Sequence, residues 1–176
     1  IVNRIGIEKR PLIVDQKTRI GDLEVDTVIG KNHLGALVTI NDRATGMLKM
    51  KLVKTKEAKV VKEAVIELLK DWKPFIHTIT SDNGKEFAAH EQIAEALDVD
   101  FYFAKPYHSW QRGANENLNG LVRQYFPKKT DFQFITKTDV EKVMSILNDR
   151  PRKRFQYKSP NEKFAITLEK ETQFAL

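Results

Sequence analysis

Leu23, Val25, Thr27 and Ile29 alternate with Asp22, Glu24, Asp26 and Val28. That period of two predicts a strand with one apolar and one largely acidic face, ended by Gly30. A second apolar stretch runs from Leu34 to Ile40, and Asn41 to Gly46 has turn composition. A third strand follows across Met47 to Val53. Short turns between three successive strands predict an antiparallel meander.

The period then lengthens. Ala58, Val61, Val65, Leu68 and Trp72 recur at helical spacing, and Pro74 stops that helix. Phe75 to Thr80 reads as a fourth strand, closed by Ser81-Asp82-Asn83-Gly84. A short helix is predicted from Ala88 to Leu97 and a fifth strand from Val99 to Ala104. Lys105 to Gly113 reads as a loop; Ala114, Leu118, Leu121, Val122 and Tyr125 then form a helical stripe that Pro127 ends. Thr138 and Glu141 are placed as a capping box before a helix with the stripe Val140, Val143, Met144 and Leu147. Ser159-Pro160-Asn161-Glu162 starts a last short helix.

This order predicts an α/β domain, a mixed sheet with helices on both faces, its fourth and fifth strands parallel to the first. The expected division is an arm or linker over 1–21, a core over 22–165 and a tail over 166–176. A start at Ile1 predicts a piece of a longer protein.

Composition narrows the class. A chain of 176 residues with 41% hydrophobic and 31% charged residues is expected to fold as one soluble domain. No apolar run approaches the roughly 20 residues that span a bilayer, and no basic-then-apolar leader opens the chain. Without cysteine there is no disulfide framework, thiolate metal site or catalytic thiol. A cytoplasmic setting is expected, with no membrane and no small-molecule substrate.

The net charge of +6 points toward a polyanion. From Arg123 to Lys158 ten basic residues face four acids, so this window alone matches the whole chain's excess, and Arg150, Arg152, Lys153 and Arg154 are its densest part. A solvated basic surface is the bland reading of the same residues.

Three acids stand out. Asp26 is mid-strand, where a charge under a helix is costly unless it is paired or metal-bound. Asp82 ends the fourth strand at a turn; if the two strands are neighbours, both carboxylates meet. Glu116 lies on the helix opening near Gly113, opposite its apolar stripe, in line with Asn119, Gly120 and Arg123. Hard oxygen ligands of this kind suit Mg²⁺ or Mn²⁺. Each acid also has a plain alternative: an ion pair for Asp26, a turn for Asp82, a solvent-facing helix residue for Glu116. Glu24 and Glu86 are read as supporting or structural carboxylates. Lys85, Lys105, His108, Arg112, Asn119 and Arg123 are placed nearest the phosphates of a nucleic acid, with Tyr107 and Trp110 as loop aromatics.

GDLEVDTVIG around Asp26, TSDNGKEF around Asp82 and PYHSWQRGANENLNGLVRQYFPK around Glu116 together resemble the DDE transposases of bacterial insertion sequences and the retroviral integrase core superfamily. With 33 residues between Asp82 and Glu116, and LNDRPRKRFQYKSPNEKF downstream, the chain most resembles the insertion sequence thirty family. Leu23 departs from the Trp associated with that position. The resemblance implies a ribonuclease H-like fold with a five-stranded sheet. It further implies Asp26, Asp82 and Glu116 as ligands of two divalent ions, DNA cleavage followed by attack of the 3′-hydroxyl on target DNA, and a homo-oligomer on DNA. A nuclease of the same fold, or a core that only binds DNA, remains open as an alternative.

Overall fold

A computed structural model describes residues 1–105 and 113–174, leaving out the side chains at 114, 116 and 174. In chain order the elements are β1 (Ile5–Gly6), α1 (Ile13–Gln16), β2 (Asp22–Ile29), β3 (Ala36–Asp42), β4 (Leu48–Val53), α2 (Ala58–Leu69), β5 (Thr78–Ser81), α3 (His90–Leu97), β6 (Asp100–Phe103), α4 (Gly113–Tyr125), α5 (Lys137–Asp149) and α6 (Pro160–Phe174). The sheet order is β1-β6-β5-β2-β3-β4. β2, β3 and β4 are antiparallel in sequence, while β5 pairs parallel with β2, and β6 parallel with β5. This is the predicted mixed sheet, with one strand more than expected.

The period-two pattern of β2 sorts its side chains between two cores. Leu23 and Val25 join Val38, Ile40, Ile79, Phe101 and Phe103 under α2 and α3, where Val61, Val65, Leu69, Ile93 and Leu97 close the layer. Val28, on the other phase, joins Leu37, Leu48 and Met50 under α4 and α5, against Leu118, Val122, Val140, Val143 and Leu147. Each fully buried Leu or Val stabilises the fold by about 1.5–3 kcal/mol.

Three expectations need correction. The first 21 residues are packed rather than a loose arm: β1 pairs with β6 (Ile5↔Tyr102), Val14 and Ile20 are fully buried, and Arg10 reaches Thr80. The segment hides its structure in sequence because it contributes single anchors without a period. The chain after 165 is helical, since α6 runs to Phe174, and Glu171 accepts the backbone N–H of Ile20. The capping box of α5 lies two residues upstream of the predicted pair: Thr136 accepts the N–H of Asp139, and the Asp139 carboxylate accepts that of Thr136. Aspartate at that position serves in place of the usual Glu. Among the described residues no helix is long and apolar enough to cross a membrane.

Candidate active site

β2 and β5 pair in the register Asp22↔Thr78, Leu23↔Ile79, Glu24↔Thr80. Asp26 follows the last β2 residue of that pairing by two positions, and Asp82 follows the end of β5 at Ser81. Neighbouring strands lie about 4.8 Å apart, and the two acids come from adjacent parallel strands just past their paired stretch. Alternation turns Asp26 toward α4, together with Asp22 and Glu24. Both candidate acids are half-buried, enough to shield a cation and open enough to admit one.

Local hydrogen bonds fix both carboxylates. Asp26 Oδ1 accepts the N–H of Thr27 at 2.8 Å, and Oδ2 accepts Asn119 Nδ2 at 2.9 Å. Asp82 Oδ1 accepts the N–H of Gly84 at 2.8 Å, the turn geometry that Asp-Asn-Gly favours.

The helix is registered on the strand. The N–H of Asn115 donates to Glu24 Oε2 (3.1 Å), Asn119 to Asp26, and Arg123 Nη2 to the Ile29 carbonyl (2.9 Å). The ties recur every four helix residues against every two or three strand residues. Four helix residues rise about 6 Å and two strand residues about 6.6 Å, so α4 runs parallel to β2 and stays in step. Position 116 is in α4, three residues before Asn119; its side chain is outside the described residues. Among the described residues no group of three potential ligands converges. The chemistry of the donors nonetheless fits a hard divalent cation: two carboxylates from neighbouring strands, and next to Asp26 the Asn119 Oδ1, buried with no hydrogen-bond partner.

The other acids have different tasks. Glu24 is fully buried and paired with Arg43, which also reaches Asp15; Arg10, on Thr80, shares Asp15. Burial and the nearby Arg43 lower the pKa of Arg10. Asp22 is held by Arg19 and Thr78. Glu86 accepts the hydroxyl of Thr27, whose phase turns it away from Asp26, so Glu86 braces the opposite side of the strand end. Sequence reasoning missed Arg43, Arg10 and Asp15. A cation in a predicted turn and another in a predicted arm carried no sign that they meet beneath β2.

The basic residues divide as well. Arg123 is spent on the backbone of β2 and of its own helix end, and burial lowers its pKa. It therefore does not reach out as the free phosphate ligand expected. Asn119 likewise holds Asp26 in place of projecting outward. Lys85 and Lys105 are exposed near the Asp82 turn. Arg150 donates to Gln124 on α4, Arg152 to the Leu147 carbonyl, and Arg154 lies over the Phe155 ring at 4.4 Å. Burial and the charges of Arg150 and Arg154 lower the pKa of Arg152. With exposed Lys153 they form a crowded cationic shelf beside α4. Tyr107, His108, Trp110 and Arg112 lie outside the described residues.

A sheet led by a three-strand antiparallel meander, with β5 and β6 parallel to β2, defines the integrase-like class of ribonuclease H-like folds. The catalytic core domain of BIV integrase matches it with a TM-score of 0.62 over 88% of this chain and 97% of that one, at 19% identity. By sequence the chain is a relative of the transposases of insertion sequences, the IS30 type among them. It is 56% identical over 93% of its length to the transposase of IS4351 from Bacteroides fragilis, and 36% identical over 92% to transposase InsI of IS30C from Escherichia coli K12. The chain spans about half the length of these curated relatives, 50% and 42%. No family model matches it.

Proposed function

We propose that the chain is the catalytic core of a transposase, which cuts DNA at the ends of a mobile element and joins the freed 3′-hydroxyl to target DNA. The observation that supports this reading is the parallel pairing of β2, which carries Asp26, with β5, which leads into Asp82, with α4 tied along β2. Asp26, Asp82 and Glu116 are assigned as ligands of divalent cations, Mg²⁺ or Mn²⁺. Held by these residues, such ions would activate the attacking oxygen and stabilise the leaving one.

The chain's own groups prepare that chemistry. The Thr27 and Gly84 N–H groups hold one oxygen of each aspartate, and Asn119 orients the other oxygen of Asp26. None of these groups has to move when a scissile phosphate arrives, which is how preorganised polar sites gain rate. DNA is the proposed partner. Arg150, Arg152, Lys153 and Arg154 repel one another on the shelf, and a phosphate backbone relieves that repulsion while releasing counterions. Lys85 and Lys105 extend the cationic rim at the Asp82 side. The proposed working form is a homo-oligomer holding paired element ends.

The test is a strand-transfer assay with the whole protein, a pre-cut 3′-hydroxyl end and a plasmid target. Joined product that requires Mg²⁺ or Mn²⁺ and is lost in Asp82→Asn is expected. Short hydrolysis products without joining would identify a nuclease. Metal-independent DNA binding, with no cleavage at all, would leave only a binding core.

A further inference from the structure

We propose that Glu24 is a positioning residue that fixes the first turn of α4, and with it position 116, in register with Asp26; this rests on the function proposed above. Glu24 is fully buried on the same face of β2 as Asp26, two residues earlier. One carboxylate oxygen is paired with Arg43 and the other accepts the backbone N–H of Asn115. Both oxygens are committed, so Glu24 is not a spare ligand.

The need for this contact follows from helix physics. The first N–H groups of a helix lack partners within it, and the helix dipole places partial positive charge there. A carboxylate reaching up from the sheet meets both demands at once. It also acts on the turn that holds position 116. The Asn115 side chain gives no help: it is 2% exposed, and neither atom of its amide group has a hydrogen-bond partner. The next ties, at Asn119 and Arg123, are one and two turns downstream. Without Glu24 the helix keeps its hold on β2 from Asn119 onward while the turn before it is released.

Arg43 makes the arrangement tolerable in a buried setting. It balances Glu24, and Asp15 from α1 is bonded to Arg43 in turn. Unpaired, Glu24 would add a third negative charge close to Asp26 and Asp82 and would itself attract the cation. Paired, it anchors without competing. The packed N-terminal segment therefore takes part in the site indirectly, through Asp15 and Arg10.

The experiment compares whole-length wild type, Glu24→Gln, Asp26→Asn and the surface control Lys137→Ala. Mn²⁺ titration, single-turnover cleavage, DNA affinity and hydrogen exchange at the Asn115 amide are the readouts. Groups that hold ligands in place typically change metal affinity or activity by about 10–100-fold when removed. For Glu24→Gln we expect Mn²⁺ affinity and single-turnover rate each to fall by about tenfold or more on that scale, with faster exchange at Asn115 and DNA affinity unchanged. Lys137→Ala should match wild type. Faster exchange with Mn²⁺ affinity and rate unchanged would make Glu24 a structural residue only and overturn the proposal. If Asp26→Asn keeps metal binding and activity, it is the assignment of the site that fails. Should Glu24→Gln not fold, the double variant Glu24→Gln/Arg43→Met, which removes the whole buried pair, is measured in the same way and judged by the same outcomes.

Discussion

On β2, Leu23 and Val25 turn toward α2 and α3 and meet hydrocarbon, whereas Asp22, Glu24 and Asp26, one residue out of phase, turn toward α4. The first face is stabilised by area removed from water. The second buries charged groups and must supply each with a partner: Arg19 and Thr78 for Asp22, Arg43 and the α4 backbone for Glu24, Asn119 for Asp26. Of the three, Asp26 alone is half-buried where Asp22 and Glu24 are fully buried. Over residues 22–26 alternation thus separates packing positions from acids, and at Val28 the acid-bearing face returns to a core of its own.

Several substitutions would break or sharpen this contrast. The largest expected effect is on function: Asp26→Asn should slow cleavage by about 1000-fold or more, equivalent to some 4 kcal/mol of barrier, with folding stability nearly unchanged. A melt shifted far downward would instead make Asp26 a structural residue. Arg43→Met alone should destabilise by about 3–5 kcal/mol because it strands the buried charge of Glu24, and urea unfolding measures it. Leu23→Ala, on the apolar face, should cost about 2.7–5 kcal/mol yet leave the turnover of the folded fraction intact. Gly120→Ala should add about 1 kcal/mol of stability, since glycine is a poor helix former and a Cβ there meets nothing within 4 Å. An unchanged melt would mean that α4 frays at that point.

The smallest effect is on pH dependence. The Asp139 carboxyl lies below its usual range because the Thr136 hydroxyl and N–H bind its charged form. A depressed folded value means its contribution is present above the unfolded pKa and lost as pH falls through the folded one. Denaturation curves of wild type and Asp139→Asn should therefore converge in acid. Asp42, on the buried face, has the opposite sign: burial raises its pKa, against the hydrogen bonds from Thr45 and Gly21. Its cost to stability accordingly grows as pH rises from the ordinary carboxylate range through that higher value.

Much of this was legible in the sequence, for physical reasons. Alternation in residues 22–29 placed the three acids of β2 on one face, and the period change at Ala58 separated meander from helix. The same alternation had no means of ranking Glu24 against Asp26. Their difference lies in how deep each sits under α4, and that is set by the helix register, a tertiary property. Arg123 was read as a phosphate ligand because its spacing from Glu116 is right; the structure draws its guanidinium to Ile29 because a helix laid along a strand end leaves a carbonyl to satisfy. The basic shelf was visible as a charge run, though its packing against Gln124 and Phe155 was not.

The two-residue strand at the start of the chain has a practical outcome. Ile5 and Gly6 cover the outer side of β6, whose Phe101, Tyr102 and Phe103 form an aromatic run of high strand propensity. Uncovered edges of this composition recruit other chains into intermolecular sheets. A protein trimmed to begin at Asp22 would thus be prone to precipitate through a bare sheet margin, besides losing the Asp15 contact that stands behind Arg43.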